Sequence, residues 1–447
     1  MNPLNIKDNT RTPKEKFADV PLITRKIADK TLKQLEREGI FIFPGILRES
    51  EDIAADQMVL QSVNDCYCSG NVMGFLGCGK ERLVIASRFS ASRHDYFFQY
   101  LLERVLDFPN IINLDTDADR KNQLYQLFLF LFPQYLKNAV RKGPFKTYIH
   151  TQYNDHHIKG TVDISRHIKQ NTPFIGNVAY NQREYSYDND LMQLVRHTVE
   201  LLLKKPYGQT ILSKVKDEVQ MVVDTTPCYR TQDRRKVISA NQQNIVRHAY
   251  FREYRALQRL CLFILQHQKH QIGSGMRQIY GILFDGAWLW EEYVNTLICD
   301  LFYHPMNKGG KGAQRLFDGN TGLIYPDFIS RNSEKRMIAD AKYKPLGNIG
   351  NRDYLQLLAY MFRFSAKKGF YLYPEANGEE DLILQMNQGS TYEEDVTPRN
   401  DIVVIKHGLH IPNDAEDYKS FVTQMSTREQ EFRAALLGAD TNMIFHS

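Results

Sequence analysis

Two aspartates and a lysine in the last third of the chain have the residue types and spacing that metal-assisted hydrolysis needs. Asp327 follows Pro326 in one strand-like run, and Asp340 and Lys342 lie two positions apart in the next run. Side chains alternate across a β-strand, so Asp340 and Lys342 are expected on one face, beside Asp327 on the adjoining strand. Mg²⁺ prefers carboxylate oxygens, and it can neutralise a phosphate and activate a water molecule. The spacing therefore predicts a site for phosphodiester hydrolysis.

The residues around Asp340 help to decide between a site and a chance pattern. An Asp-x-Lys triplet arises easily by chance in a long chain, and its simplest interpretation is an exposed ion pair. Asp340, however, follows the apolar run 337–339 and is expected to be buried. Buried acids are costly unless they are paired or bind a metal. We therefore favour a metal site, in which the side chain of Ala341 points into the sheet and its backbone carbonyl is a further ligand.

The flanking pattern predicts the elements that hold these residues. Residues 281–302 have apolar side chains at helical spacing, so a helix there would carry the acids Glu291 and Glu292. Turn-forming breaks divide the segment that follows into strands that fit hairpins. In order, the predicted elements are strands 313–319, 322–330 and 335–344, a helix at 351–364, strands 369–374, 382–386 and 401–407, and a helix at about 415–437. The fold class is α/β in the α+β arrangement, with a mixed sheet flanked by helices.

The first part of the chain is predicted to be mixed α/β with long helices. Helical spacing predicts helices, and apolar or alternating runs predict strands. The helices are at 30–38, 97–106, 124–142, 188–205 and 247–267, and the strands are at 82–89 and 158–170. We divide the chain into a mixed α/β region at 1–150, a helical linker at 151–271, and the domain with the acidic site at 272–447.

Composition limits the function classes. The chain has 447 residues, 43% hydrophobic and 24% charged, so it can bury the cores of two or three domains. Its net charge of +5 suits a polyanionic partner without establishing one. It has no apolar run of about 18 residues, which predicts no membrane span. Its six unevenly spaced cysteines do not make a disulfide framework, which favours a cytoplasmic protein.

Two further patterns resemble ligand sites but lack essential residues. Gly74 to Lys80 matches the start of a phosphate-binding loop, but Glu81 stands where a Mg²⁺-binding Ser or Thr is needed. A strand is predicted to follow, so we interpret the segment as a glycine turn and expect no nucleotide on this chain. Cys66 and Cys68 lack the paired spacing of zinc ligands and are predicted to be free thiols.

Several motifs together resemble a known nuclease group. YPDF (325–328), IADAKYK (338–344) and YLQLLAY (354–360) resemble the PD-(D/E)XK nuclease superfamily. The motifs that more narrowly resemble the McrC family, including its LlaJI-type restriction relatives, are LVIASRF (83–89), KGTVDISRHIK (159–169), REYSYDNDLMQLV (183–195) and LWEEYV (289–294). The resemblance covers about residues 80–400 and is strongest in the nuclease core.

The resemblance implies a DNA endonuclease that depends on Mg²⁺, with Mn²⁺ as a substitute. Asp327 and Asp340 would be metal ligands, and Lys342 would orient or activate the attacking water. Glu291 matches the helix acid of the superfamily, which acts on the metal directly or through water. Glu292 remains the alternative, since two adjacent acids leave the register open.

Two residues of the following helix match the Gln-x-x-x-Tyr accessory positions of the superfamily. Gln356 and Tyr360 are one helical turn apart and share a face. The resemblance implies that they hold Lys342 or the DNA backbone. Core packing is an equally good interpretation of Tyr360.

Three lysines near the acidic site are candidate DNA contacts. Lys308 and Lys311 lie in a glycine-rich loop before the predicted hairpins, and Lys344 follows Lys342 by two positions. Glycine allows close backbone approach, and lysines bind phosphates without reading the base sequence. We predict that Lys308, Lys311 and Lys344 contact the backbone of double-stranded DNA.

The resemblance also implies partners. The chain would be the nuclease subunit of a restriction system that defends against phage, beside a hexameric AAA+ GTPase ring of the McrB type. Its region 1–150 would dock on the ring and stimulate nucleotide hydrolysis, and two nuclease domains would pair for a double-strand break. Two alternatives stay open: a stand-alone site-specific endonuclease, and a non-catalytic adaptor that activates the ring.

Overall fold

The structure is a computed structural model that describes most of the chain in two compact units. The described residues are 3–38, 40–43, 57–90, 95–106, 120–205, 208–266, 279–305, 314–319, 321–390 and 395–438. One unit combines Met1–Arg120 with Gly273–Ser447, and the other is Lys121–Ile272. No helix among the described residues is long and apolar enough to cross a bilayer.

The elements are numbered in chain order. The strands are β1 Leu4–Lys7, β2 Arg11–Pro13, β3 Phe41–Phe43, β4 Leu60–Val63, β5 Cys66–Ser69, β6 Val72–Cys78, β7 Glu81–Ala86, β8 Thr147–Asp155, β9 Thr161–Val162, β10 Val178–Ser186, β11 Ile279–Asp285, β12 Phe302–Tyr303, β13 Gln314–Arg315, β14 Leu323–Ile324, β15 Phe328–Ser330, β16 Met337–Ala341, β17 Lys368–Glu375, β18 Leu382–Gln388 and β19 Thr397–His410. The helices are α1 Pro21–Ile27, α2 Leu32–Glu38, α3 Tyr96–Leu106, α4 Arg120–Val140, α5 Ile164–Gln170, α6 Asp190–Leu203, α7 Gly208–Leu212, α8 Lys216–Asp224, α9 Arg234–Gln243, α10 Arg252–Gln266, α11 Gly286–Ile298, α12 Asn351–Arg363 and α13 Tyr418–Gly438.

The first sheet of the larger unit takes strands from distant parts of the chain. Its order is β1-β7-β6-β11-β3, with β11 antiparallel to β6 and parallel to β3. Every residue of β11 is buried, as expected of an apolar strand covered on both faces. A Cβ on Gly74 of β6 would stand 2.1 Å from the carbonyl oxygen of Ile282, so this close approach of two strands requires glycine.

The helix predicted over 281–302 is wrong in its first part. Residues 281–285 belong to β11, and α11 begins at Gly286. The carboxylate of Asp285 caps the helix, because it accepts a hydrogen bond of 2.8 Å from the backbone nitrogen of Trp288. Periodicity alone does not separate a buried strand from a buried helical segment in a short apolar run.

The larger unit is also discontinuous in sequence. The predicted boundary near 272 coincides with the end of the smaller unit, but residues 273–447 form one unit with residues 1–120. The other predicted boundary, near 150, lies inside the smaller unit, which begins at Lys121. Residues 273–447 join the first unit because β11, which follows the boundary near 272, lies inside the first sheet.

The second large sheet has the order β12-β15-β16-β17-β19-β18. β15 and β16 are antiparallel, whereas β16, β17 and β19 run parallel. Helix α12 packs on the face that carries Ile338, Tyr371 and Tyr373. The predicted mixed sheet with flanking helices is confirmed. The predicted strand 313–319 reduces to β13, which pairs with β14 outside this sheet.

The smaller unit has the sheet β8-β10-β9 and helices that include α6, which packs against α9 and α10. The strand predicted over 158–170 is wrong for most of its length. Only Thr161–Val162 forms a strand, and α5 follows at Ile164–Gln170. The carboxylate of Asp163 accepts a hydrogen bond of 3.1 Å from the backbone nitrogen of Arg166 and so begins this helix, which overrides the alternating pattern.

The glycine turn between strands is confirmed, but it is shorter than the predicted 74–80, because residues 74–78 belong to β6. β6 and β7 form an antiparallel hairpin in which Cys78 pairs with Glu81, and Gly79 lies in the turn with φ of +59°. A strand therefore follows the glycines, as the sequence predicts.

Candidate active site

Asp327 and Asp340 lie on neighbouring strands of the second large sheet. Asp327 immediately precedes β15, and Asp340 is a buried residue of β16. The backbone nitrogen of Ala341 donates a hydrogen bond to Oδ2 of Asp327 at 2.9 Å. The predicted hairpin thus brings the two aspartates together, because antiparallel pairing of β15 with β16 places Asp327 opposite the end of β16.

Lys342 forms a close ion pair with Asp340. Its Nζ lies 2.6 Å from Oδ2 of Asp340 and 3.7 Å from Oδ1 of Asp353. Burial favours a lower pKa for Lys342, but the carboxylates of Asp340 and Asp327 outweigh it and raise the pKa above its ordinary value. Lys342 is therefore a fixed cation at neutral pH, suited to stabilising negative charge and not to accepting a proton.

The surroundings of Asp327 disfavour its ionised form. Burial of its carboxyl group raises its pKa well above the ordinary value, and the nearby carboxylates of Asp340 and Glu291 raise it further. Lys342 opposes this shift but does not cancel it. A second cation would remove the repulsion, because an opposite charge favours the ionised form of a carboxyl group.

Glu291, and not Glu292, belongs to this site. Glu291 is buried on α11, and its carboxylate raises the pKa of Asp327. Glu292 is only partly buried. Of the two acids that the sequence leaves open, Glu291 is therefore the better candidate for the helix acid.

His304 lies between Glu291 and Asp327, and no sequence pattern indicated it. Its Nδ1 lies 2.7 Å from the backbone carbonyl oxygen of Asp327, and its Nε2 lies 3.6 Å from Oε1 of Glu291. A carbonyl oxygen can only accept, so Nδ1 carries a proton. The pairing of Phe302 with Ser330 places His304 beside the start of β15, and this pairing is the signal that could have found it.

Gln356 and Tyr360 contact each other on α12. Nε2 of Gln356 donates to the Tyr360 hydroxyl at 2.7 Å. Tyr360 is buried in the cluster between α12 and the sheet, which fits core packing. Burial raises its pKa, the Gln356 hydrogen bond lowers it, and the charge of Asp340 raises it further. Tyr360 therefore packs in the core, and it lies close enough to Asp340 and Asp327 for their charges to affect its pKa.

Lys344 is paired with an acid that the sequence analysis also missed. Its Nζ lies 3.0 Å from Oδ1 of Asp353 in the first turn of α12, and its side chain is 43% exposed. Burial favours a higher pKa for Asp353, but hydrogen bonds from Lys344 and from the backbone nitrogen of Gly350 lower it. The rest of the Lys344 side chain remains exposed. Lys308 and Lys311 lie outside the described residues.

The donor set suits a hard divalent cation. Carboxylates from Asp327, Asp340 and Glu291 and the main-chain carbonyl of Ala341 are oxygen ligands of the kind that Mg²⁺ selects. In the part of the chain that the structure describes, no three His, Cys, Asp or Glu side chains are already grouped as ligands of one ion. Asp340 instead points at Lys342. The residues therefore fit the ion in chemistry, and binding it requires the carboxylates to turn towards a shared centre.

Two aspartates and a lysine at the ends of paired strands define a candidate site for metal-dependent hydrolysis in a mixed α/β protein. The chain matches the family described as McrBC 5-methylcytosine restriction system component over residues 69–374. This match covers more than half of the chain, so the protein belongs to that family. The family resemblance inferred from the motifs is confirmed.

The solved structures that match this chain include the following two, and no curated protein matches it. One is a half-complex from a tetradecameric assembly of Thermococcus gammatolerans McrB AAA+ hexamers with bound McrC, at 15% identity, 98% coverage of this chain, 100% coverage of that chain and a TM-score of 0.45. The other is the Thermococcus gammatolerans McrBC complex, at 15% identity, 67% and 87% coverage and a TM-score of 0.29.

Proposed function

We propose that this chain is the Mg²⁺-dependent DNA endonuclease subunit of a McrBC-like restriction system. The observation that carries the proposal is the cluster of Asp327, Asp340 and Lys342, in which buried acids and a fixed cation meet at the ends of two paired strands. Membership of a restriction-system family supports DNA as the substrate.

Each residue of the site has a role in this proposal. Asp327 and Asp340 would hold the ion, with Glu291 and the Ala341 carbonyl as further ligands. When bound, the ion neutralises the phosphate and lowers the pKa of a bound water. Lys342 would stabilise the negative charge that develops on the phosphate, because its amine lies among the carboxylates that would hold the ion.

DNA and a nucleotide-driven protein are the proposed partners. The exposed flank of Lys344 provides a contact to a phosphate, and Lys308 and Lys311 remain candidates from the sequence. The family is named as one component of a system, so a second component is expected. We propose the AAA+ GTPase of the McrB type that the resemblance implies, with this chain stimulating its hydrolysis and its nuclease domains pairing for double-strand cleavage.

The direct test is DNA cleavage by the purified chain together with its GTPase partner and Mg²⁺. Asp327→Ala, Asp340→Ala and Lys342→Ala should each abolish cleavage while leaving the fold and DNA binding intact. Asp401→Ala is the matched control, because Asp401 is an exposed acid of β19 paired only locally with Arg399, and it should cleave like the wild type. Wild-type cleavage by the Asp327 or Asp340 variant would refute the assignment.

The same assay separates the two alternatives. Efficient sequence-specific cleavage by the chain alone would favour a stand-alone endonuclease. Stimulation of the GTPase that is unaffected by the Asp340 substitution, in a complex that never cleaves DNA, would favour a non-catalytic adaptor.

A further inference from the structure

The residue between the two site lysines, just beyond the end of β16, is anchored by its side chain. Tyr343 is buried, and its hydroxyl oxygen lies 2.7 Å from Oγ of Ser87, with which it shares a hydrogen bond. The same hydroxyl lies 3.3 Å from Sδ of Met73 in β6. The strand that carries the site is therefore attached to the first sheet through one side chain.

The aromatic ring of Tyr343 is held by the residues that follow Ser87. The guanidinium of Arg88 lies 4.8 Å from the ring centroid, and the Phe89 ring packs edge-on at 4.9 Å. Arg88 is itself fixed by an ion pair of 2.6 Å with the fully buried Asp8. We call Ser87, Arg88 and Phe89 the Tyr343 clamp. These three residues end the LVIASRF motif, to which the proposed function assigns no role.

The ring of Tyr343 also fixes the start of the helix that carries Glu291. A Cβ on Gly286 would lie 2.7 Å from Cε1 of Tyr343, so the first residue of α11 packs directly on this ring. The backbone nitrogen of Gly286 donates to the carbonyl oxygen of Asn71 at 3.0 Å. Tyr343 therefore follows Lys342 directly in the chain and also contacts α11, the helix that carries Glu291.

The main chain at the lysines needs such an anchor. Lys342 lies just beyond the end of β16, where its nitrogen donates to the carbonyl oxygen of Leu372 at 2.9 Å. The nitrogen of Lys344 donates only locally, to the carbonyl oxygen of Lys342 at 2.8 Å. Because the main chain leaves the sheet here, side-chain contacts are needed to fix the directions in which Lys342 and Lys344 point.

We propose that Tyr343 is a positioning residue. Held by the Tyr343 clamp, its side chain fixes the positions of Lys342 and Lys344 in the chain and of the start of α11. The inference rests on the proposed nuclease function for its kinetic consequence, but not for its structural one. Tyr343 does not touch the substrate side of the site. Its effect is on geometry, and a displacement of about 1 Å in a reacting group can cost about a hundredfold in rate.

The kinetic test uses Tyr343→Phe in the complete complex. This variant keeps the ring and loses the hydroxyl, with its hydrogen bonds to Ser87 and to Sδ of Met73, so we expect kcat to fall about tenfold to about a hundredfold with little change in the KM for DNA. Tyr254→Phe is the matched control, because Tyr254 is a buried tyrosine of the smaller unit whose hydroxyl donates one hydrogen bond of 2.9 Å, to the carbonyl oxygen of Gly143. The control should lose similar thermal stability and keep kcat.

A double-mutant cycle identifies the bond responsible. Ser87→Ala should lower kcat, and the double variant should be no worse than Tyr343→Phe, because that single variant already lacks the hydrogen bond to Ser87. Additive losses, an unchanged kcat in Tyr343→Phe, or an equal loss in Tyr254→Phe would each overturn the inference.

Hydrogen exchange tests the positioning role without any cleavage assay. The amides of Lys342 and Lys344 should exchange faster in Tyr343→Phe than in the wild type and remain unchanged in Tyr254→Phe. Unchanged exchange at both lysines would overturn the inference. Faster exchange in a complex that never cleaves DNA would instead refute the proposed function alone.

Discussion

The backbone nitrogen of Ala341 donates a hydrogen bond to the carboxylate of Asp327 across 2.9 Å. The main chain of β16 therefore orients the acid that precedes β15. This bond does not depend on the side chain at position 341, so the small residue there is left to satisfy the packing of the sheet. One oxygen of the Asp327 carboxylate is therefore held by the main chain, whereas Asp340 is held by the side chain of Lys342.

Asp327 should make the metal-free protein less stable as the pH rises. Its folded-state pKa is raised, so the folded chain holds a proton that the unfolded chain releases at about pH 4. Stability is therefore greatest below that value and falls as the pH rises towards the folded-state pKa. Asp327→Asn cannot ionise and should flatten this fall. Thermal unfolding in EDTA across this pH range measures the effect, and parallel curves for the two proteins would contradict it.

Mg²⁺ should reverse this loss of stability. A ligand that binds only the folded state stabilises it by about 2.7 kcal/mol at a concentration of 100 times its Kd. We expect a rise in Tm with Mg²⁺ for the wild type and little or no rise for Asp327→Asn. Ca²⁺ and K⁺ at matched ionic strength serve as the comparison. An equal rise in both proteins would place the ion elsewhere.

Glu291 and Glu292 offer a matched pair of substitutions. Glu291→Gln should raise the Mg²⁺ concentration needed for half-maximal cleavage by about tenfold to about a hundredfold, because it removes a charge that acts at Asp327. Glu292→Gln changes the same charge one residue away, on a partly buried position, and should behave like the wild type. The prediction fails if the two variants respond alike to Mg²⁺.

His304 should act mainly through its Nδ1. That atom is 2.7 Å from the Asp327 carbonyl, whereas Nε2 is 3.6 Å from Glu291, which is too long for a hydrogen bond. An asparagine amide can occupy the Nδ1 position and a glutamine amide the Nε2 position. His304→Asn should therefore keep more cleavage activity than His304→Gln. The reverse order would assign the role to the contact with Glu291.

The isolated chain should bind DNA weakly and with strong salt dependence. The candidate contacts are lysines that bind phosphates, and each phosphate contact contributes a slope of about −0.9 to the dependence of log K on log salt. Lys344→Gln should reduce that slope by about one contact. Footprinting without the partner should show little sequence preference, and a sharp footprint would contradict this division of roles.

The sequence predicts the part of the site that depends on local pattern. Asp327, Asp340 and Lys342 come from adjoining strands joined by a short turn, so alternation and turn residues suffice to bring them together. His304 and Asp353 cannot be found from this local pattern. His304 is placed by the pairing of β12 with β15, and Asp353 by its position at the start of α12, both outside that hairpin. Choosing between Glu291 and Glu292 requires knowing which face of α11 is turned to the site, and this depends on packing and not on spacing. β11 was missed because both of its faces are buried, which removes the alternation that marks a strand.

The place of β11 in the first sheet has a consequence for synthesis and for truncation. A ribosome releases β1, β3, β6 and β7 long before β11, so β6 and β3 lack their common neighbour until most of the chain has been made. A fragment that ends before Ile279 would leave two open strand edges able to pair with other chains. A fragment that begins at Gly286 would remove the neighbour on which Tyr343 depends. The smaller unit, Lys121–Ile272, contributes none of the five strands of this sheet.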